Sequence, residues 1–389
     1  MVLNLSNDDK RNHLDTILAR ADGFHDQQSG GIVPPVQMST TFLRDVDYKP
    51  LNPDNVYGRD HNDQVRLAEQ IICKIENGEE SLLFGSGMSA ISGILAGLRR
   101  GHTVLLQKGC YWGATDLIRR HCAQYEINLI EADSSDTAGF NNIISQNTPE
   151  LVFVETPSNP WLKIADVKSI AEVTRRAGSF LVVDATAATP FLIKPLELGA
   201  DVAMHSATKA LNGHSDVIAG VLTCSDPASD VWRSAKAFRH GVGTILSPQS
   251  AWLLIRGMRT LPLRIERMCQ SALEIAQFLS THSAVSEVWY PGLESHSAFR
   301  LASDQMSNGY GYLLSFLVNG GKDEALEFCR NLVGIQRATS LGGVESLVEH
   351  RHTIEGDLTG CPENLIRLSV GIENKADLIN ELDQALSKI

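Results

Sequence analysis

Residues 180–209 read FLVVDATAATPFLIKPLELGADVAMHSATK, and the interval between the two ends decides the architecture. Phe180-Leu181-Val182-Val183 is an unbroken apolar run closed by Asp184, as expected of a buried strand in a parallel sheet. Twenty-five positions separate Asp184 from Lys209. That is room for one helix and one strand, so both residues can come back to the same edge of the sheet. Working outward, short apolar strands alternate with helical stretches over residues 61–243, with strands expected at 81–84, 103–106, 151–155, 180–184 and 217–223. The first four run into turns of Gly, Pro or small residues, where open α/β sheets carry their functional loops. The expected fold class is α/β: a large, mostly parallel sheet domain with helices on both faces, plus a smaller C-terminal α/β domain.

A chain of 389 residues is too long for one compact core, so two domains and an arm are expected. Residues 1–60 are polar and broken by Gly30-Gly31, Pro34-Pro35, Pro50 and Pro53, which predicts an extended N-terminal arm. A second boundary falls near 244. There Ser247-Pro248 supplies a capping hydroxyl and a proline at the first helical position, and residues 244–389 form the C-terminal domain. Within it, Ile265, Met268, Ala272, Ile275, Ala276 and Leu279 share one helical face. Strands are expected at 313–318 and 365–370, and an amphipathic helix after Asn374.

The net charge of -12 argues against nucleic acid as a partner, since that needs a basic face. The seven cysteines are odd in number and lack CxxC spacing, which reads as reduced thiols in a cytoplasm. No signal peptide and no membrane-spanning run is expected.

Lys209 follows two hydroxyl residues, Ser206 and Thr208, in His205-Ser206-Ala207-Thr208-Lys209. Its amine can form a Schiff base with an aldehyde cofactor while the hydroxyls hold a phosphate. Gly85-Ser86-Gly87-Met88 follows a strand and opens a helix, a second phosphate cup. Read through Ala90, the same residues also fit the GxGxxA dinucleotide fingerprint. That fingerprint wants an acid about twenty residues on, whereas the second strand ends Leu105-Leu106-Gln107-Lys108. Asp184 either caps a turn or sits beneath a ring nitrogen, keeping a pyridinium protonated as an electron sink. Together these residues outline a pyridoxal phosphate site. Tyr111 can stack on a cofactor ring and move a proton, or simply pack in the core. Arg367, inside the apolar strand Leu365-Ile366-Arg367-Leu368, needs a partner. Its planar fork suits a substrate carboxylate, unless the strand lies at an edge. Glu349-His350-Arg351-His352 lacks any metal-binding partner set and is expected to be a solvated loop.

With these residues in order, the chain resembles the pyridoxal-phosphate-dependent Cys/Met metabolism (transsulfuration) family: cystathionine γ-synthases, cystathionine β- and γ-lyases and methionine γ-lyases. The resemblance runs from about Gly31 to Leu386. It rests on Tyr57-Gly58-Arg59, Ser86-Gly87-Met88, Tyr111, Glu155-Thr156-Pro157-Ser158-Asn159-Pro160, Val183-Asp184, Ser206-Ala207-Thr208-Lys209 and Gly213-His214-Ser215-Asp216. It continues through Tyr290-Pro291-Gly292-Leu293, Ser340-Leu341-Gly342-Gly343-Val344-Glu345-Ser346 and Arg367-Leu368-Ser369-Val370-Gly371-Ile372-Glu373.

The resemblance implies fold type I, like aspartate aminotransferase, and a cytoplasmic homotetramer built from two catalytic dimers. It further implies that Lys209 bonds covalently to pyridoxal 5'-phosphate, Asp184 pairs with the ring nitrogen and Tyr111 stacks on the ring. Ser86, Gly87, Met88, Ser206 and Thr208 would bind the phosphate, with Tyr57 and Arg59 reaching a neighbouring subunit's phosphate. Asn159, Thr339, Ser340 and Arg367 would face the amino-acid substrate, Asn159 also lying near the cofactor hydroxyl. The implied activity is β/γ-elimination or γ-replacement on an amino acid bearing a Cβ or Cγ leaving group, of the cystathionine γ-synthase or γ/β-lyase type.

Departures fall in the pocket that chooses the leaving group. Thr339 stands where many members have glutamate, and Gly113 where methionine γ-lyases have cysteine. Asn62-Asp63-Gln64 stands where many read Asn-Pro-Thr, and Ala185 replaces an asparagine. His350-Arg351-His352-Thr353 replaces a proline- and methionine-containing segment. A lyase for a non-sulfur leaving group is therefore an alternative, and a fold type I aminotransferase a more distant one.

Overall fold

The computed structural model describes residues 12–356 and 359–389. Seven strands form the larger sheet: β1 (Glu80–Phe84), β2 (Thr103–Gln107), β3 (Asn128–Ala132), β4 (Leu151–Glu155), β5 (Phe180–Asp184), β6 (Val202–His205) and β7 (Gly220–Cys224). Their order is β1-β7-β6-β5-β4-β2-β3. All neighbours run parallel except β7, which is antiparallel to both β1 and β6. The strands are Val/Leu-rich because helices cover both faces. Leu106, Phe153, Val182 and Leu222 pack with one group of helical residues, and Leu105, Val152, Leu181 and Val183 with another.

The crossovers leaving β2 and β4 depart in opposite directions along this order, so β2 and β4 flank a topological switch point. Open α/β sheets bind ligands there, outside the carboxyl ends of the strands. The carboxyl ends of β2, β4, β5 and β6 lead to Tyr111, Asn159, Asp184 and Lys209 respectively.

A second sheet has the order β10-β11-β12-β9-β8, from β8 (Val285–Trp289), β9 (Leu313–Val318), β10 (Gln336–Arg337), β11 (Leu347–His350) and β12 (Leu365–Ser369). It is antiparallel apart from the β10–β11 pair. Its apolar side packs on helix Leu261–Thr281 through Ala272, Ile275, Ala276 and Leu279, residues of the face read from the sequence. Ser247 caps the helix Pro248–Met258 by accepting from the Ser250 amide, and Asn374 caps Lys375–Leu386.

Three expectations need correcting. The strand placed at 217–223 begins only at Gly220, because Ala219 is engaged through both its N–H and its C=O with Thr208. Two strands went unpredicted: β3 is an edge strand with a mostly half-exposed, polar-flanked pattern, and β6 has only four residues. The segment from Glu349 to His352 is not a solvated loop. Glu349 and His350 end β11, Arg351 opens the short helix Arg351–Glu355, and all three are buried. Charge concealed them, since an ion-paired core segment looks like surface in a one-dimensional reading. At the N-terminus, Leu14–Ala19 is helical and sends Leu18 into the core.

Candidate active site

A cavity of about 420 Å³ opens at the carboxyl ends of β2, β4, β5 and β6. Ser86, Gly87, Met88, Tyr111, Asn159, Asp184, Ser206, Thr208, Lys209, Thr339, Ser340 and Arg367 all line it. Of the residues expected at the site, only Tyr57 and Arg59 lie elsewhere. They are exposed in the N-terminal segment, with the Arg59 guanidinium 5.6 Å from the Tyr57 ring centroid. A larger groove of about 650 Å³ near His13 and Lys194 contains none of these residues.

Ser86 is the N-cap of helix Gly87–Leu95, and its hydroxyl accepts from the Ser89 amide while the Ser89 hydroxyl accepts from the Ser86 amide. This capping box leaves the first-turn N–H groups of Gly87 and Met88 without a protein partner among the described residues, ready for an anion. The loop after β6 comes close to them. A Cβ at Gly87 would sit 3.0 Å from Cβ of Ser206, so the glycine permits this approach.

Asp184 is buried at the end of β5, and its Oδ1 accepts from both the amide (2.9 Å) and the hydroxyl (2.6 Å) of Thr186. The Thr186 hydroxyl also accepts from the Ser206 amide at 2.8 Å, tying the aspartate to the lysine loop. Burial raises the Asp184 carboxyl above its ordinary range, opposed by the Thr186 hydrogen bonds.

Directly across the register, Glu155 ends β4. Its Oε2 accepts from the Tyr111 amide at 2.5 Å and its Oε1 from the Asn159 amide at 2.8 Å. Burial, then the neighbouring Asp184, push the Glu155 carboxyl well up. Sequence reading assigned Glu155 no role. The available signal was a carboxylate closing an apolar strand, just as Asp184 does.

The Lys209 amine donates to Oγ of Ser340 at 2.9 Å. Burial lowers its pKa, with the Arg367 cation adding to the effect, which favours the neutral, nucleophilic amine. Ser340 has φ 93°, a left-handed conformation rare outside glycine. In that conformation its hydroxyl meets Lys209 while its carbonyl accepts from Nη2 of Arg367 at 2.5 Å.

Arg367 lies on β12 between β11 and β9, not on an edge, and is 2% exposed. Nη1 donates to Oδ1 of Asn159 at 3.2 Å, and Nη2 lies 2.6 Å from Oε2 of Glu349. Burial lowers its pKa to about 10, so it stays a cation at neutral pH. The Tyr111 phenol is pushed up mainly by burial, with the Arg351 cation opposing. Its ring lies over Gly113, where a Cβ would come within 2.7 Å of it.

The donor set fits pyridoxal phosphate. A desolvated lysine amine would meet the aldehyde, a buried carboxylate would pair with the ring nitrogen, and a helix start with nearby hydroxyls would hold the phosphate. Among the described residues, no group of three or more His, Cys, Asp or Glu could hold a metal, and no helix is long and apolar enough to cross a membrane.

Comparison with known proteins agrees with this fit. Residues 15–387 match the sequence profile described as Cys/Met metabolism PLP-dependent enzyme. The chain is 36% identical over 371 residues to the cystathionine gamma-lyase of Dictyostelium discoideum, covering 93% of this chain and 95% of that protein. It is 37% identical over 367 residues to the cystathionine gamma-synthase of Mycobacterium tuberculosis, covering 93% of each. The solved structure of cystathionine gamma synthase from Xanthomonas oryzae pv. oryzae in complex with cystathionine superposes with a TM-score of 0.91 at 33% identity, over 97% of this chain and 98% of that one. With motifs, cavity and fold in agreement, the chain belongs to the Cys/Met metabolism PLP-dependent enzyme family, and its cofactor is pyridoxal 5'-phosphate.

Proposed function

We propose that this enzyme removes or replaces a substituent at Cβ or Cγ of an amino acid, with chemistry of the cystathionine γ-synthase or γ/β-lyase type. The observation that carries the reading is the convergence of Lys209, Asp184, Tyr111 and Arg367 on one cavity. Bound there, the cofactor supplies an electron sink for charge developing at the substrate's Cα. Arg367, steadied by Asn159 and Ser340, holds the α-carboxylate. The Lys209 amine takes the Cα proton, and for γ-chemistry also takes one at Cβ. Asp184 balances the ring's positive charge, while the Tyr111 hydroxyl exchanges a proton with the departing group. Gly87, Met88, Ser206 and Thr208 anchor the phosphate.

The reading extends to a cytoplasmic homotetramer of two catalytic dimers, divided into an arm (1–60), a cofactor-binding domain (61–243) and a C-terminal domain (244–389). Ile32, Met38, Leu43, Val46 and Leu51 are exposed along the arm, which supports its burial against a second copy. Tyr57 and Arg59, unable to serve their own cavity, are then the residues lent to the partner's phosphate. Seven unpaired cysteines support a reducing compartment. The test is turnover of L-cystathionine, L-methionine, or O-succinyl-L-homoserine with L-cysteine, assayed as pyruvate, 2-oxobutyrate or cystathionine. One of these products is expected. A cofactor-loaded enzyme that forms none of them contradicts the sulfur-substrate reading.

A further inference from the structure

The wall beyond Arg367 carries a charge pattern that the cofactor chemistry does not need. Oε2 of Glu349 holds Arg367 and also Nη1 of Arg351. Nη2 of Arg351 in turn holds Oε1 of Glu355. The Arg351, Glu349 and Glu355 side chains are 2–3% exposed, and Glu349, Arg351 and Arg367 line the cavity. Three polar atoms in this group, Oε1 of Glu349 and the Nε atoms of Arg351 and Arg367, are buried without a partner among the described residues. A buried polar atom left unpaired is costly, so the network is incomplete as it stands.

The charges decide what completes it. Two guanidinium groups and two carboxylates cancel. An incoming substrate places its α-carboxylate on Arg367, leaving this corner with one negative charge in excess. The other acids of the cavity do not change the sum. Asp184 would be matched by the ring nitrogen, and both Glu155 oxygens are turned to the Tyr111 and Asn159 amides, away from this corner. At Thr339 the wall is neutral where many relatives have glutamate, so the excess sits on the Glu349 and Glu355 side.

We infer that the leaving-group wall formed by Glu349 and Arg351, with Glu355 behind Arg351, selects amino acids whose Cβ or Cγ substituent is cationic, accepts neutral ones, and rejects anionic ones. The inference rests on the proposed elimination or replacement chemistry and names its substrate class. A cation restores neutrality beside Glu349, whereas an anion, the succinyl group of O-succinyl-L-homoserine included, doubles the excess in a desolvated site. Across a few ångströms in a partly desolvated site, one unit of charge changes binding by roughly tenfold or more.

The test is a series of thioethers whose terminal group is cationic, neutral or anionic: S-(2-aminoethyl)-L-homocysteine, S-ethyl-L-homocysteine and S-(2-carboxyethyl)-L-homocysteine, with the corresponding L-cysteine thioethers for β-chemistry. Release of thiol and keto acid is followed with the cofactor-loaded enzyme. The expected order of kcat/KM is aminoethyl, then ethyl, then carboxyethyl, with about tenfold or more between the two ends. Glu355→Gln should shrink that ratio at least threefold and raise relative turnover of the carboxyethyl compound, a change that mere loosening of the fold would not produce. A carboxyethyl compound turned over as well as the aminoethyl one, or a ratio unmoved by Glu355→Gln in a variant that retains cofactor, overturns the inference while leaving the elimination chemistry intact. Turnover of none of the six compounds by an enzyme that turns over L-cystathionine or L-methionine overturns this inference alone, whereas an enzyme that turns over none of these compounds, nor O-succinyl-L-homoserine with L-cysteine, overturns the proposed function as well.

Discussion

Glu155 and Asp184 stand side by side on β4 and β5, and burial raises both carboxyls. Because the folded state holds a proton on Glu155 above the ordinary value of 4.5, it binds more protons there than the unfolded chain does. By linkage, stability must fall as pH rises from about that ordinary value through the raised one. Glu155→Gln removes this titration. Thermal melts of cofactor-free protein across that window should therefore show a shallower decline for the variant than for the parent. A parallel decline would contradict the assignment. The variant also gives up one of the two amide hydrogen bonds that fix Tyr111 and Asn159, so only the slope tests the proton, not the absolute melting temperature. At this scale Lys209, Asp184 and Arg367 were readable because each is a polar residue placed where an apolar pattern forbids it. Arg351 was not, because the glutamates that neutralise it are its neighbours in sequence, and such a cluster looks like solvated surface.

The loops leaving β2 and β4 meet because of contacts that no periodicity reveals. Tyr111 caps the helix Trp112–Gln124 only through its position, and its ring rests over Gly113. Gly113→Ala would put a Cβ 2.7 Å from that ring. The helix tolerates alanine, even favours it by about 1 kcal/mol over glycine, so folding and cofactor content should survive. The displaced ring should lower kcat roughly tenfold, consistent with a misplaced proton-transfer group. Unchanged kcat would show that the ring position is not needed. Elements with a strong one-dimensional signature, such as β4, β5 and helix Leu261–Thr281, were legible. The four-residue β6 and the edge strand β3 were not, since their place comes from neighbours in the sheet rather than from their own pattern. The start of β7 was misjudged by three residues because Ala219 pairs with a side chain, a tertiary contact invisible locally.

Over the whole molecule, the large sheet with helices on both faces follows from the alternation of strands and helices. The arm is a different matter, because its exposed apolar residues carry no pattern of their own and are covered only in the proposed assembly with another copy of the chain. If Tyr57 and Arg59 serve the partner's phosphate, then Arg59→Ala and Lys209→Ala chains, each weak or inactive alone, should complement when coexpressed. A mixed dimer has one site with both native residues, so random assembly should restore about a quarter of the parental activity. No recovery in purified mixed oligomers would place Arg59 outside the catalytic site.

Lys209 is the residue proposed to bond the cofactor, and borohydride reduction of the purified, cofactor-loaded enzyme tests this most directly. Reduction followed by peptide mass spectrometry should locate the pyridoxyl adduct on the peptide containing Lys209, at one per chain, and Lys209→Ala should lose both the adduct and the visible absorbance. An adduct on another lysine, or no adduct in a protein that still turns over substrate, would contradict it.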